Sequence, residues 1–294
     1  MKNNIIKGPI VIGGVGGSGT RIVAELIKEI GFYLGCDLNH ANDNLLFTFL
    51  FKRPRWYLSN CNNWGEIKKG LTVFEGIMTT RFDSSIKDMD FINRIMIKDF
   101  YSDNKNKAWV DKRLSNIPKY KEIDLNQYLG WGFKEPNSHI YLENLSKYFK
   151  EMKYIHVIRH GLDMAFSENQ YQLHNWGSLF GINIPNDGAR LPKASLNYWI
   201  KSNKEAIRKG RELLGNNFIL LKFDELYLEP KKQIDRMIDF LEVKKPIVRK
   251  KFLYTLPQKP RTSGRYRKND LSIFTENQIN EVINLGFTVE GLNR

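Results

Sequence analysis

Near the N-terminus, Gly8-Pro9 opens the apolar run Ile10-Val11-Ile12, and Gly13-Gly14-Val15-Gly16-Gly17-Ser18-Gly19-Thr20 follows at once. The next stretch, from Arg21 to Ile30, places Ile22, Leu26, Ile27 and Ile30 on one helical face, and Gly31 supplies a C-terminal stop. The pattern is strand, glycine loop, helix. Five glycines between two well-formed elements exceed what a simple turn requires. A helix N-terminus preceded by free backbone N–H groups is an anion site.

The rest of the chain alternates strands and helices in the same manner. Strand candidates are 130–135, 153–158 and 218–223, and helices are expected over 138–149, from Gly161 onward, over 193–214 and over 230–241. Such alternation predicts an α/β fold: a three-layer sandwich with a mostly parallel central sheet, in a single domain spanning 1–294. Residues 45–102 are rich in Trp, Phe and Lys with little strand character, and read as a helical insertion over the acceptor side of the site. In such sheets ligands bind beyond the carboxyl ends of the strands. The glycine loop, Lys134-Glu135 and Arg159 are therefore expected along one rim.

Composition narrows the partners. Lys and Arg number 46 against 32 Asp and Glu, a net charge of +14, which points to anionic ligands without choosing among them. Zinc-finger spacing, a basic region with heptads and an aromatic RNA-binding signature are all missing, so no nucleic-acid partner is expected. Cys36 and Cys61 form no C-x-x-C pair and read as free packing thiols. The chain lacks a signal-peptide pattern and any run near the ~18 apolar residues of a membrane span, so a cytoplasmic location is expected.

Two constellations carry the chemistry. The loop lacks the lysine that a nucleotide-hydrolysing P-loop places before its Ser or Thr, so a kinase would lose its main counter-charge. Arg159 ends a strand and precedes Ser167 by eight positions across a helix start, so both can reach one phosphate.

Together these residues carry a resemblance. Gly16-Gly17-Ser18-Gly19-Thr20-Arg21 resembles the 5′-phosphosulfate loop of sulfotransferases that use 3′-phosphoadenosine 5′-phosphosulfate (PAPS), and Arg159, Asp163 and Ser167 match that family's 3′-phosphate motif. Phe223-Asp224-Glu225-Leu226 is similar to a strand end of the same enzymes, and Gly264-Arg265-Tyr266-Arg267 to their basic loop, here 257–270, that closes over the nucleotide. Gly17 departs from the pattern by replacing the usual basic residue. Lys134-Glu135-Pro136 resembles the strand end that supplies a catalytic lysine in several members, so Lys134 is the candidate for that charge.

The resemblance implies a P-loop-like core and in-line transfer of a sulfuryl group from PAPS to an acceptor hydroxyl, with the 3′,5′-bisphosphate PAP as product and no metal. Gly16, Gly17, Ser18, Gly19, Thr20 and Arg21 would hold the 5′ end, Arg159, Ser167 and Arg265 the 3′-phosphate, and Gly264 and Arg267 would bind the cofactor from the closing loop. The general base is expected among Asp43, His40 and Asp37. Imidazole has the more suitable ordinary pKa, ~6.5 against ~3.9 for aspartate, whereas Asp43 has the better spacing. Trp56, Tyr57, Trp64, Phe74 and Phe82, set among Arg53, Arg55 and Lys68, suggest an aromatic wall for a glycan or glycolipid acceptor. The alternatives are a P-loop-type nucleotide or small-molecule kinase and a non-catalytic polyanion-binding protein.

Overall fold

In the computed structural model, which describes residues 8–82, 90–95 and 104–291, the Ile-Val-Ile run is the middle strand of a five-stranded sheet. The strands are β1 (Ile10–Gly14), β2 (Phe32–Tyr33), β3 (Gly130–Lys134), β4 (Lys153–Ile158) and β5 (Phe218–Lys222). They lie in the order β2-β3-β1-β4-β5, and every pairing is parallel. Burial of β1 on both faces explains its unbroken apolar run, since a central parallel strand has no solvent side.

Side chains alternate between two cores. Ile10, Ile12, Ile155, Val157, Ile219 and Leu221 face helices α1 (Thr20–Ile30), α10 (Phe223–Leu228) and α11 (Pro230–Phe240). Val11, Phe133, Tyr154 and Ile158 face α2 (Leu45–Phe51), α4 (Trp64–Met78), α6 (Leu142–Tyr148) and α9 (Leu191–Leu214). Between these come α3 (Pro54–Asn60), α5 (Asn104–Lys121), α7 (Gly161–Ala165) and α8 (Tyr171–Trp176), and α12 (Glu276–Asn284) closes the chain. The three-layer expectation holds.

α1 shows how local sequence fixes an element. Val23, Ala24, Leu26, Ile27 and Ile30 are buried while Arg21, Glu25 and Lys28 face water. Gly31, at φ 124°, donates its N–H to the Ile27 and Lys28 carbonyls and ends the helix.

Three expectations change. The 138–149 segment starts as a 3₁₀ turn, Pro136–Tyr141, before α6. Cys36 is exposed and Cys61 half-buried, so both thiols are free but neither is a core residue. The aromatic wall is not a wall: Phe74 and Phe82 are buried, and Phe47, Phe74 and Phe133 pack together with centroids 4.6–5.3 Å apart. Trp56 and Trp64 lie half-buried beneath Arg53 and Lys147. An insertion this rich in rings spends them on its own core, because its helices must bury a face against β3. Residues 83–89 and 96–102 of the insertion lie outside the described residues. Among the described residues no helix is long and apolar enough to cross a membrane.

Candidate active site

The parallel register sets the strand ends level. Ile12 pairs with Lys134, Gly14 with Val157, and Ile158 with Lys222, so the glycine loop, Lys134 and Arg159 emerge on one rim. β3 and β4 leave the sheet on opposite sides of β1. A cleft of about 870 Å³ opens at this switch point.

The loop from Gly14 to Gly19 forms the cleft floor. The Ser18 N–H bonds the Val15 carbonyl at 3.0 Å and the Ile22 N–H bonds the Gly19 carbonyl at 3.2 Å, curling the loop into the start of α1. Gly19, at φ 92°, has no alternative residue: a Cβ there would lie 2.1 Å from the Phe223 ring. Gly16, Gly17, Gly19, Thr20 and Arg21 line the cleft. Ser18 lies beneath them, its hydroxyl buried and without a hydrogen-bond partner. An orphaned buried hydroxyl under a glycine cradle is a donor waiting for an acceptor.

On the β4 side, Arg159 is buried, with Nη2 donating to Thr262 Oγ1 at 2.9 Å and Nη1 near the Gly17 carbonyl at 3.5 Å. Its Nε has no partner. Burial pulls this guanidinium below its ordinary pKa; Asp163 opposes that and the nearby Arg265 adds to it. Two adjacent cations with an unfilled donor describe an anion site. Arg265 Nη1 reaches the Phe166 carbonyl, next to Ser167. Neither Ser167 nor Arg265 lines the cleft, and Arg267 turns away to pair with Glu290 at 2.9 Å. Gly264 sits behind, its N–H bonded to Asp163 at 2.8 Å.

On the β3 side the turn from Asn39 to Asp43 is tied by the Asn39 side-chain oxygen, which accepts the N–H groups of Ala41 and Asp43 at 2.8 and 2.9 Å. This turn brings Asp43 onto Lys134, whose buried ammonium donates to the Asp43 carboxylate and to the Ala41 carbonyl at 3.1 Å. His40, exposed, lines the cleft beside them. Asp37 does not: it is buried and pairs with Arg113 at 2.6 Å, which removes it from the candidate bases. Cleft residues that sequence reasoning missed are Lys52, Asn169, Tyr171, Gln172, Asn175 and Thr262. Only tertiary packing brings them there.

The architecture is an all-parallel α/β sheet with a glycine loop and basic side chains gathered at its switch point. The chain belongs to the sulfotransferase family, whose model matches residues 9–246. Among solved structures, it is similar to the sulfotransferase domain from the curacin biosynthetic pathway, with 15% identity, 97% of this chain and 100% of that chain covered, and a TM-score of 0.50. It is also similar to the sulfotransferase domain from the Synechococcus PCC 7002 olefin synthase (14% identity, 98% of each chain, TM-score 0.49) and to a sulfotransferase from Mycobacterium avium (14%, 97% and 79%, 0.48). Comparison with curated protein sequences gives no match.

Proposed function

We propose that this sulfotransferase takes PAPS as its donor and sulfates an acceptor hydroxyl. The observation that carries the reading is the pair of orphaned buried donors, Ser18 Oγ and Arg159 Nε, set around a glycine loop in the cleft that also holds the Asp43–Lys134 pair. When bound, PAPS supplies an activated sulfuryl group: a bond forms from the acceptor oxygen to sulfur, and the bond from sulfur to the 5′-phosphate oxygen breaks.

Each part of the chain has a separate task. The loop N–H groups, Ser18 and Thr20 hold the 5′ end, and Arg21 at the start of α1 adds charge. Arg159, with Ser167 and Arg265 behind it, holds the 3′-phosphate. Ile22, Phe223 and Leu256 gather the apolar lining at the β5 end, a suitable bed for a nucleobase. Lys134 supplies the cation that the loop lacks at Gly17, stabilising negative charge as it accumulates on the leaving phosphate. Asp43 and His40 stand on the same wall as groups able to take the acceptor proton.

The test is calorimetry with PAP and AMP. PAP binds far more tightly, and Arg159→Ala weakens it by roughly 10- to 150-fold, the equivalent of one charge-assisted hydrogen bond of ~1.5–3 kcal/mol. Equal affinity for PAP and AMP overturns the reading.

A further inference from the structure

Away from the cleft, the chain concentrates charge in the stretch that leads from α11 back to the rim. Five of the eight residues from 244 to 251 are Lys or Arg, and no acidic residue occurs between Glu242 and Asp270. None of residues 244–252 lines the cleft. Of the five cations only Lys250 has an acidic partner among the described residues, Asp235 at 3.2 Å. Lys244, Lys245, Arg249 and Lys251 are exposed, with no carboxylate at ion-pair distance to offset their mutual repulsion.

Two large apolar side chains stand among them. Ile247 is 62% exposed and Phe252 47%. Neither faces water for want of a core, because the same stretch buries Pro246 and Leu253 and packs Val248 and Tyr254 against the α1 side of the sheet. The backbone is fixed as well. Ile247 donates its N–H to the Ile30 carbonyl at 3.0 Å, and the helical turn Lys250–Leu253 is tied to α11 through Asp235, which also accepts the Tyr254 hydroxyl at 2.8 Å. One side of Ile247 rests on Gly31, where a Cβ would fall 2.6 Å from its Cδ1. The fold thus holds a branched chain and a ring outward among cations on an ordered surface.

Cations alone suit any polyanion. The apolar pair narrows the choice, since a nucleic-acid backbone rewards charge but gives an isoleucine nothing to bury against, whereas hydrocarbon beneath a layer of negative headgroups rewards both. Clusters of four or more basic residues bind anionic lipid surfaces, and the binding strengthens with the apolar area inserted.

We propose that Lys244, Lys245, Ile247, Arg249, Lys251 and Phe252 form a docking surface for an anionic lipid bilayer. The four cations lie among the headgroups, and Ile247 and Phe252 enter the acyl boundary. The cleft lining resumes at Leu256, four residues and at most about 15 Å along the chain from Phe252, so docking holds the site beside the headgroups.

The test is co-sedimentation of the full chain with vesicles of phosphatidylcholine alone and of a two-to-one mixture of phosphatidylcholine and phosphatidylglycerol, alongside titration of a single-stranded RNA oligonucleotide. Binding to the mixed vesicles is expected to be at least roughly 10-fold stronger than to phosphatidylcholine and to fall as salt rises. Replacing all four cations, as Lys244→Gln, Lys245→Gln, Arg249→Gln and Lys251→Gln, weakens binding to the mixed vesicles by roughly 100-fold or more. The pair Ile247→Ser and Phe252→Ser weakens it by roughly 10-fold and leaves RNA titration unchanged. Both variants keep the wild-type urea midpoint, which separates lost docking from lost folding. Equal binding of the wild-type protein to the two kinds of vesicle overturns the proposal. Wild-type binding of the serine pair to the mixed vesicles overturns it too, and with RNA binding that disappears in the charge variant it assigns the face to a nucleic acid instead.

Discussion

Lys134 and Asp43 stand as one unit. The lysine side chain is 3% exposed and the aspartate 16%, and the second oxygen of Asp43 accepts the Asn39 amide at 2.9 Å. Removing one member leaves the other charge desolvated and unpaired, which costs more than removing both. Lys134→Met is therefore expected to lower turnover by ~100-fold or more, with a much smaller change in PAP affinity, because the charge acts mainly in the transition state. The same substitution lowers the urea midpoint, and adding Asp43→Asn restores part of that loss without restoring turnover. Wild-type turnover in Lys134→Met would show that another cation, with Arg21 the next to examine, meets the bridging oxygen.

α7 controls the basic loop over 257–270. Both oxygens of the buried Asp163 carboxylate accept backbone N–H groups across the interface, from Gly264 at 2.8 Å and Tyr266 at 3.2 Å. The His160 ring stacks on Tyr266 with centroids 4.5 Å apart. An amide at position 163 can accept only through its oxygen, so Asp163→Asn loses one of the two loop bonds. The expected result is PAP affinity weakened by roughly 5- to 10-fold and faster tryptic cleavage at Arg261 and Arg265, with PAP slowing that cleavage. Unchanged affinity and cleavage would show that the loop holds itself. The elements that position this site were legible wherever the signal is local: an apolar run, a glycine string, an arginine at a strand tip. β2 escaped because two residues have no period. Lys52 and Tyr171 escaped because their place in the cleft depends on how α2 and α8 pack, and Trp56 and Phe74 misled because a ring bound for a core and a ring bound for a sugar look the same in sequence.

The whole molecule carries two histidines beneath its central sheet, and they set its acid limit. His139 donates from Nδ1 to the Pro136 carbonyl and, neutral, accepts the Ser202 hydroxyl at Nε2, both at 2.8 Å, and His156 donates from Nε2 to Asn203 Oδ1 at 2.9 Å. Burial pulls His139 down to about 4 and His156 to about 3, the latter helped by the first ring 6.1 Å away. Both fold in the neutral form. The unfolded chain binds these protons near pH 6.5 and the folded chain does not, so below 6.5 the unfolded state binds more protons and stability falls as pH falls. Each ring contributes a slope approaching 1.4 kcal/mol per pH unit, on the order of what one pKa unit is worth, down to about pH 4 for His139 and about 3 for His156. Asp235 acts in a separate window: burial pushes its carboxyl up, but Tyr254, Lys231 and Lys250 hold it at about 2, so its contribution disappears only below the ordinary aspartate range. Urea midpoints measured from pH 7.5 to 4.5 are expected to hold down to about pH 6.5 and to fall below it, and His156→Gln, which can keep an amide donor toward Asn203, to flatten that fall by about half. A stability profile that stays level across this range, in the wild-type protein, would mean that the two rings already accept protons in the folded state.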